Sequence, residues 1–146
     1  MIAELSRTDY AQWLGHSFGP GHPRTITQSE VDEFCSLTGD DQWIHVDRER
    51  AAASPFGSTL VPGLFLLSLL PQWITDLVRV TDDAPVLTVG YDEVRFLAPV
   101  SVPSTLRATV TLVEGETRGS RLRTRWLSEV RRDDELVLRA TAVLQW

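Results

Sequence analysis

The stretch from residue 62 to about residue 78 most constrains the fold of this chain, because its composition predicts a helix that is apolar on nearly every side. Proline suits the first turn of such a helix, where its missing N–H is no loss. The apolar centre, residues 64–70, is far shorter than the roughly 20 residues that cross a bilayer. The pattern therefore predicts a core helix that is surrounded by protein.

After Asp82-Asp83-Ala84-Pro85 the hydrophobic period changes to two, which is typical of half-buried strands. The segments with this period are residues 86–97, 105–112, 118–130 and 136–146. The turn at residues 131–134 predicts that the last two form a hairpin. One apolar helix followed by about four long antiparallel strands indicates an α+β domain, in which a curved sheet wraps around a central helix. Such a sheet leaves edge strands open, so we expect a homodimer.

The first half of the chain predicts shorter elements. Residues before the Gly- and Pro-rich break at 19–23 are expected to form an amphipathic outer helix, and residues 24–27 a short strand. Thr27 to Glu30 resembles a capping box for a helix that runs to about Leu37, with apolar side chains at helical spacing, and Thr38-Gly39 ends this helix. Asp47 is expected to cap a second helix over residues 48–53, before a loop at residues 54–59.

The composition limits the classes of function. The 146 residues fit one domain, 1–146, and a net charge of −6 argues against nucleic acid or an anionic membrane as the main partner. All 14 basic residues are arginine, which excludes a lysine Schiff base or lysine general base. Cys35 is the only cysteine, and the first residues do not resemble a signal peptide, so we expect a cytoplasmic protein with no internal disulfide.

The segment from Thr38 to His45 carries the chemistry, because it places a carboxylate, Asp40, and an imidazole five residues apart. Gly39 allows a sharp turn, and the apolar residues Trp43 and Ile44 can bury one side of the loop, so both polar groups can face one dry cleft. By spacing alone, a loop-stabilising carboxylate and a partly buried structural histidine are the more frequent outcome. The surrounding sequence decides in favour of an acid/base pair.

That surrounding sequence resembles the MaoC-like (R)-specific enoyl-CoA hydratases, in particular the branch of nodulation protein N. The likeness lies in residues 34–40, 42–45 and 54–57, in Ala51, in the Pro62-Gly63 step and in residues 91–100. It covers most of the chain from Thr25 onward. The resemblance implies a hot-dog fold, in which the sheet wraps around the central helix. It also implies the reversible hydration of a trans-2-enoyl thioester, carried by coenzyme A or a carrier protein, with no metal or other cofactor.

Carried over to this chain, the resemblance makes Asp40 and His45 the catalytic acid/base pair. Gly63 matches the position whose N–H, at a helix N-terminus, stabilises the oxyanion of the thioester. The family usually has His-Gly here, and this chain has Pro62-Gly63, so a polar contact to the substrate is lost. Ser58 and Thr59 are candidates for a replacement hydroxyl. Together with Gln42 and Pro62, they form the expected substrate-binding set.

Two other functions remain open. The same site can serve a dehydratase or cyclase that acts on a carrier-bound polyketide or fatty-acyl intermediate, or the chain can be a catalytically weak subunit that binds an acyl group. Arg121, Arg123 and Arg125 share one face of a predicted strand and could meet a coenzyme A phosphate or an acidic carrier protein, although an exposed sheet face is the commoner outcome. Arg95 is expected to pair with Asp92 or Glu93.

Overall fold

A computed structural model describes residues 2–146, and its main feature is an antiparallel sheet that wraps around a central helical segment. The elements in chain order are β1 (Ala3–Leu5), a 3-10 turn (Tyr10–Trp13), β2 (Ser17–Phe18), β3 (Arg24–Ile26), α1 (Gln28–Thr38), α2 (Trp43–Val46), α3 (Arg48–Ala52), α4 (Gly63–Ser68), α5 (Leu70–Leu77), β4 (Val78–Val80), β5 (Leu87–Phe96), β6 (Ser104–Arg118), β7 (Arg121–Arg132) and β8 (Glu135–Gln145). The predicted α+β class is confirmed.

The four predicted long strands are all present, but only β6 and β7 show the predicted alternation of burial; β8 is buried at nearly every position, and β5 has no buried side chain. The sheet has the order β2-β6-β7-β8-β5, all its pairs are antiparallel, and β3 adds to β6 beside β2. In β6 the buried side chains alternate with less buried ones from Ser104 to Leu112, so one face of the strand packs on the core. Among residues 2–146, strand β5 pairs only with β8, and its other edge has no partner strand.

The predicted central helix is two helices, not one. It is interrupted at Leu69, where α4 ends, and Pro71 is the second residue of α5. Proline has no N–H for the preceding turn and its ring crowds the carbonyl four residues earlier, which breaks the helical hydrogen-bond ladder. The helical part also ends sooner than predicted, because Val78 begins β4, and it starts at Gly63 with Pro62 as its N-cap.

The central segment is not surrounded on every side. Phe65, Leu66, Leu70, Trp73 and Ile74 are buried against the concave face of the sheet. Leu64, however, is 62% exposed, and the polar side chains of α5 face solvent. The prediction of a fully enclosed helix was therefore wrong for this face.

The N-terminal segment does not form the predicted outer helix. Strand β1 instead pairs in parallel with β4, and β2 pairs with β6. Between them the chain makes only one 3-10 turn, and Gly15 lies in the left-handed region with φ of 80°. Pairing with distant strands outweighs the local helical pattern here.

Helix α1 begins at the predicted capping box. The Thr27 hydroxyl accepts from the Glu30 N–H, and the Glu30 carboxylate accepts from the Thr27 N–H at 2.9 Å. Burial raises the pKa of Glu30, but the hydrogen bonds from Thr27 and Arg24 outweigh it and hold the pKa below its usual value. The predicted inner face was partly wrong, since Leu37 is 87% exposed and Cys35 is buried in its place.

No helix within residues 2–146 is long and apolar enough to cross a membrane.

Replacing Thr27 by alanine tests the cap of α1. We expect the free energy of unfolding to fall by about 1 kcal/mol, because one N–H at the helix start loses its acceptor. Urea denaturation measures the difference. Ser29→Ala, in the same exposed turn, is the control and should change stability little; equal losses in both variants would contradict the capping role.

Candidate active site

His45 is fixed at two points inside the protein. It lies in α2 and is only 7% exposed. Its ring Nδ1 lies 2.7 Å from the backbone oxygen of Leu60, and its own backbone oxygen accepts from the side-chain amide of Gln28 at 2.8 Å. A carbonyl oxygen can only accept, so Nδ1 is the donor. The neutral ring therefore keeps the lone pair of Nε2 free, which suits a proton acceptor.

Asp40 lies opposite this free nitrogen. Gly39, which ends α1 in the left-handed conformation with φ of 77°, turns the chain so that Asp40 Oδ2 comes within 4.0 Å of His45 Nε2. The Asp40 side chain is 38% exposed, and Gln42 Nε2 donates to its other oxygen at 3.4 Å. A separation of 4.0 Å is longer than a direct hydrogen bond. Both groups can therefore contact one oxygen atom placed between them.

A largely apolar cavity of about 370 Å³ opens beside His45. Its walls are formed by His45, Phe56, Leu60, Val61, Gly63, Leu66, Phe96, Leu97, Ala98, Pro99 and Val100. The cavity thus joins His45, one member of the predicted acid/base pair, to the N-terminus of the central helix. Such a cleft has one polar end and apolar walls, which suits a ligand with a reactive polar group on an apolar chain.

Gly63 lies at the first position of α4 and has little space for a side chain. A Cβ atom at this position would lie 3.0 Å from three carbon atoms of the Phe96 ring. The first backbone hydrogen bonds of α4 run from the N–H groups of Phe65 and Leu66 to the Pro62 oxygen. The Gly63 N–H comes before these donors, so it belongs to the first turn, whose N–H groups have no acceptor within the helix. The glycine therefore allows close approach to an N–H at the positive end of the helix.

The other predicted substrate-binding residues are placed differently. The Thr59 hydroxyl is buried and donates to Gln28, and the Ser58 hydroxyl donates to the backbone oxygen of Thr59 at 3.1 Å. Pro62 is buried and is not among the cavity residues. Gln42 contacts Asp40 and not the cavity wall. The structure therefore places His45 and Gly63 in one cavity wall, whereas Asp40 does not line this cavity and approaches only His45, with Gln42 beside it.

Three residues at the site were missed by the sequence analysis. Phe56 and Phe96 lie within segments that carried the family resemblance, but no pattern indicated that they line the cavity. Gln28 was treated only as part of a capping box, although its amide contacts the backbone of His45. The only signal for Gln28 was a polar side chain in the first turn of α1, which is ordinary at helix starts.

The remaining reactive and charged groups do not point to another chemistry. Burial raises the pKa of the Cys35 thiol, and neighbouring carboxylates raise it further, so the thiol stays protonated and is a poor nucleophile. Arg125 pairs with Asp92 and Glu114, which corrects the expected pairing of Arg95; Arg95 instead donates to the backbone oxygen of Val94. Within residues 2–146, no three His, Cys, Asp or Glu side chains are grouped so that they could hold a metal ion.

Comparisons with known proteins give a consistent result. The family model described as a MaoC like domain matches residues 9–141. The 3-hydroxyacyl-thioester dehydratase Z of Mycobacterium tuberculosis H37Rv is 45% identical over 115 residues, which are 79% of this chain and 76% of that protein. Nodulation protein N of Rhizobium leguminosarum bv. viciae is 37% identical over 119 residues, or 80% and 74% of the two chains.

The fold has close counterparts among solved structures. The monoamine oxidase regulatory protein from Archaeoglobus fulgidus superposes with a TM-score of 0.78 at 27% identity, covering 99% of this chain and 97% of its own. Together with the sheet topology, this similarity confirms the predicted hot-dog architecture.

Proposed function

This chain belongs to the family of MaoC-like domains, dehydratases and hydratases that act on acyl thioesters, and we propose that it catalyses the reversible addition of water to a trans-2-enoyl thioester. The proposed substrate is trans-2-enoyl-CoA and the product is (R)-3-hydroxyacyl-CoA. Water addition changes no overall oxidation state, so the reaction calls for no redox cofactor. The thioester carrier, coenzyme A or a carrier protein, is part of the substrate.

The observation that carries the proposal is the approach of Asp40 to His45, a residue that lines the polar end of an apolar cavity. In hydration, the oxygen of a water held between the two groups forms a bond to C3, and one of the two groups accepts the proton of that water. The π electrons move to C2, which receives a proton from the other group; that group starts the cycle in its protonated form, and the proton taken from the water restores it between turnovers. Dehydration reverses both transfers. With Nδ1 held as donor, the imidazole in its neutral form has Nε2 free to accept a proton.

The negative charge that develops on the thioester oxygen needs a donor, and we assign that role to the Gly63 N–H. The first N–H groups of a helix carry partial positive charge and have no helical acceptor. His45 and Gly63 line the same cavity, so one acyl group can reach both. A single donor of this kind is typically worth on the order of a hundredfold in rate.

Removing either member of the pair tests the proposed function. With crotonyl-CoA and longer trans-2-enoyl-CoAs, we expect wild type to consume the enoyl thioester, which is followed by its ultraviolet absorbance. Asp40→Asn and His45→Ala should each lower kcat by at least about a hundredfold, since each variant loses one of the two proton transfers. Asp41→Asn, on the neighbouring carboxylate, is the control. Full activity in both site variants would contradict the assignment.

Gly63→Ala tests the close approach at the helix start. The variant keeps the N–H, but the added methyl group must displace the Phe96 ring or the substrate by a few tenths of an ångström, so we expect kcat/KM to fall by about ten- to a hundredfold through misplacement of the thioester. Gly90→Ala is a matched control, because a Cβ at Gly90 meets nothing within 4 Å and its φ is ordinary. Equal activity of the two variants would place the oxyanion elsewhere.

A carrier-bound substrate is the second candidate, and Pro62 is the observation that favours it. Proline replaces the histidine that the family usually has before the glycine, which changes the polar contacts at the helix start. Enoyl-carrier-protein and enoyl-CoA substrates of equal chain length distinguish the two. If wild type turns over neither, the chain acts instead as an acyl-binding subunit, the third function considered above.

The assembly that we propose is a homodimer formed through β5. This strand lies at the edge of the sheet, with unpaired backbone groups on its outer side. It also exposes Leu87, Val89 and Phe96, and the neighbouring Val86 and Leu97 are exposed as well. Pairing with the β5 strand of a second copy would satisfy the backbone groups and bury these side chains.

Val89→Glu tests this assembly. Light scattering coupled to gel filtration should give twice the 16.4 kDa chain mass for wild type and the single-chain mass for the variant, because a charge would be buried at the new edge. Val113→Glu is the matched control: Val113 is also 46% exposed and also lies at a register shift, but in the central strand β6. A dimeric Val89→Glu protein would contradict pairing through β5.

A further inference from the structure

We infer that Gln28 is a positioning residue for His45: its side-chain amide connects α1, the backbone of α2 and the segment before α4 in one hydrogen-bond network. This inference rests on the proposed function, because it assigns to Gln28 the task of orienting the proposed base. Gln28 itself does not line the cavity. It acts on the chemistry only through His45.

All three hydrogen-bonding groups of the Gln28 amide are used. One N–H donates to the backbone oxygen of His45 at 2.8 Å, and the other donates to Asp32 Oδ1 at 2.9 Å. The amide oxygen accepts from the hydroxyl of Thr59, a side chain that is buried. A glutamine can satisfy these partners together because it carries two donors and an acceptor on one planar group. Glutamate has no N–H for His45.

The network closes on the imidazole. Thr59, held by Gln28, is followed directly by Leu60, whose backbone oxygen accepts from His45 Nδ1 at 2.7 Å. The Leu60 N–H in turn donates to the backbone oxygen of Ile44 at 2.8 Å. Gln28 thus binds the backbone of His45 directly and, through Thr59, supports the segment that contains Leu60. The Leu60 oxygen in turn determines which ring nitrogen of His45 carries the proton. Loss of the amide removes one hydrogen bond from the His45 backbone and one from this segment, while the bonds from the Leu60 N–H to Ile44 and from the Val61 N–H to Val100 remain.

The contact with Asp32 supports the amide from the other side. The hydrogen bond from Gln28 and the ion pair with Arg48 at 2.8 Å hold the pKa of Asp32 below its usual value, so the carboxylate stays charged. A charged acceptor fixes the rotation of the amide and leaves its second N–H aimed at His45. The same bond to an aspartate four residues later occurs in α5, between Gln72 and Asp76, but there it is exposed and reaches no other element.

Steady-state kinetics of Gln28→Leu with a trans-2-enoyl-CoA test the inference. We expect kcat to fall by about ten- to a hundredfold, because catalytic groups that shift by a fraction of an ångström lose most of their efficiency. KM should change by less than about threefold, since Gln28 itself does not line the cavity. Gln72→Leu is the matched control, removing the same kind of helical bond to aspartate, and should behave as wild type.

Two variants of Thr59 separate positioning from contact with substrate. Thr59→Val removes only the hydroxyl and should lower kcat in the same direction as Gln28→Leu, whereas Thr59→Ser keeps the hydroxyl and should restore it. In the double variant the losses should not add, because both changes break the same hydrogen bond. A rise in KM without a loss of kcat would show a substrate contact and overturn the positioning role. If Gln28→Leu fails to fold, the Thr59 pair decides the question.

The tautomer of His45 gives a readout that does not need activity. The chain has three histidines, so ring ¹⁵N shifts can be assigned by comparison with His45→Ala. Neutral wild-type His45 should carry its proton on Nδ1, and Gln28→Leu should give a mixture of tautomers, with Gln72→Leu unchanged. An unchanged tautomer in Gln28→Leu overturns the inference even if kcat falls. If wild type turns over no thioester, the proposed function fails and this measurement still tests the network.

Discussion

The structure depends on burying one side of a helical segment that has too few polar residues to face water. That side is apolar from Phe65 to Leu77, and only a sheet that curves around it can cover its length. The start of the helix is fixed by the segment just before it. In that segment Leu60 forms a β-bridge with Ser101, and the Val61 N–H donates to the Val100 oxygen. Gly63, the first residue of α4, consequently lies in the wall of a cavity and not in the core.

Much of this fold can be predicted from the sequence, and the failures have physical causes. Strands β6 and β7 are long enough for the period of two to be clear, and the hairpins β6–β7 and β7–β8 are local, whereas β5 pairs with β8 far along the chain. Strands β1 and β2 have three and two residues, and their pairing depends on partners far along the chain. No local pattern can show that. The break at Leu69 was overlooked because the apolar pattern continues across it, although Pro71 was visible.

The candidate site divides in the same way. Asp40 and His45 are close in sequence, so their spacing raised the possibility of a pair, and the family resemblance, not the spacing, turned it into an expectation. Phe96 meets Gly63 across the fold, and Gln28 reaches His45 from a different helix. Contacts of this kind depend on how elements pack, which a single sequence does not express. The hydroxyls of Ser58 and Thr59 looked available in the sequence because their internal acceptors could not be seen.

Asp40 and His45 differ in mechanical freedom. The imidazole is held through its ring and its backbone inside the protein, while the carboxylate extends from a turn after Gly39 and is partly open to water. His45 is thus the fixed member of the pair and Asp40 the adjustable one. The distance of 4.0 Å between Asp40 Oδ2 and His45 Nε2 is set by the loop that carries Asp40 and not by the helices. In the proposed function, a small rotation of Asp40 would accommodate acyl groups of different bulk near the reacting carbons. The tolerance of the site would then reside in the four loop residues between α1 and α2, and its precision in a single buried ring.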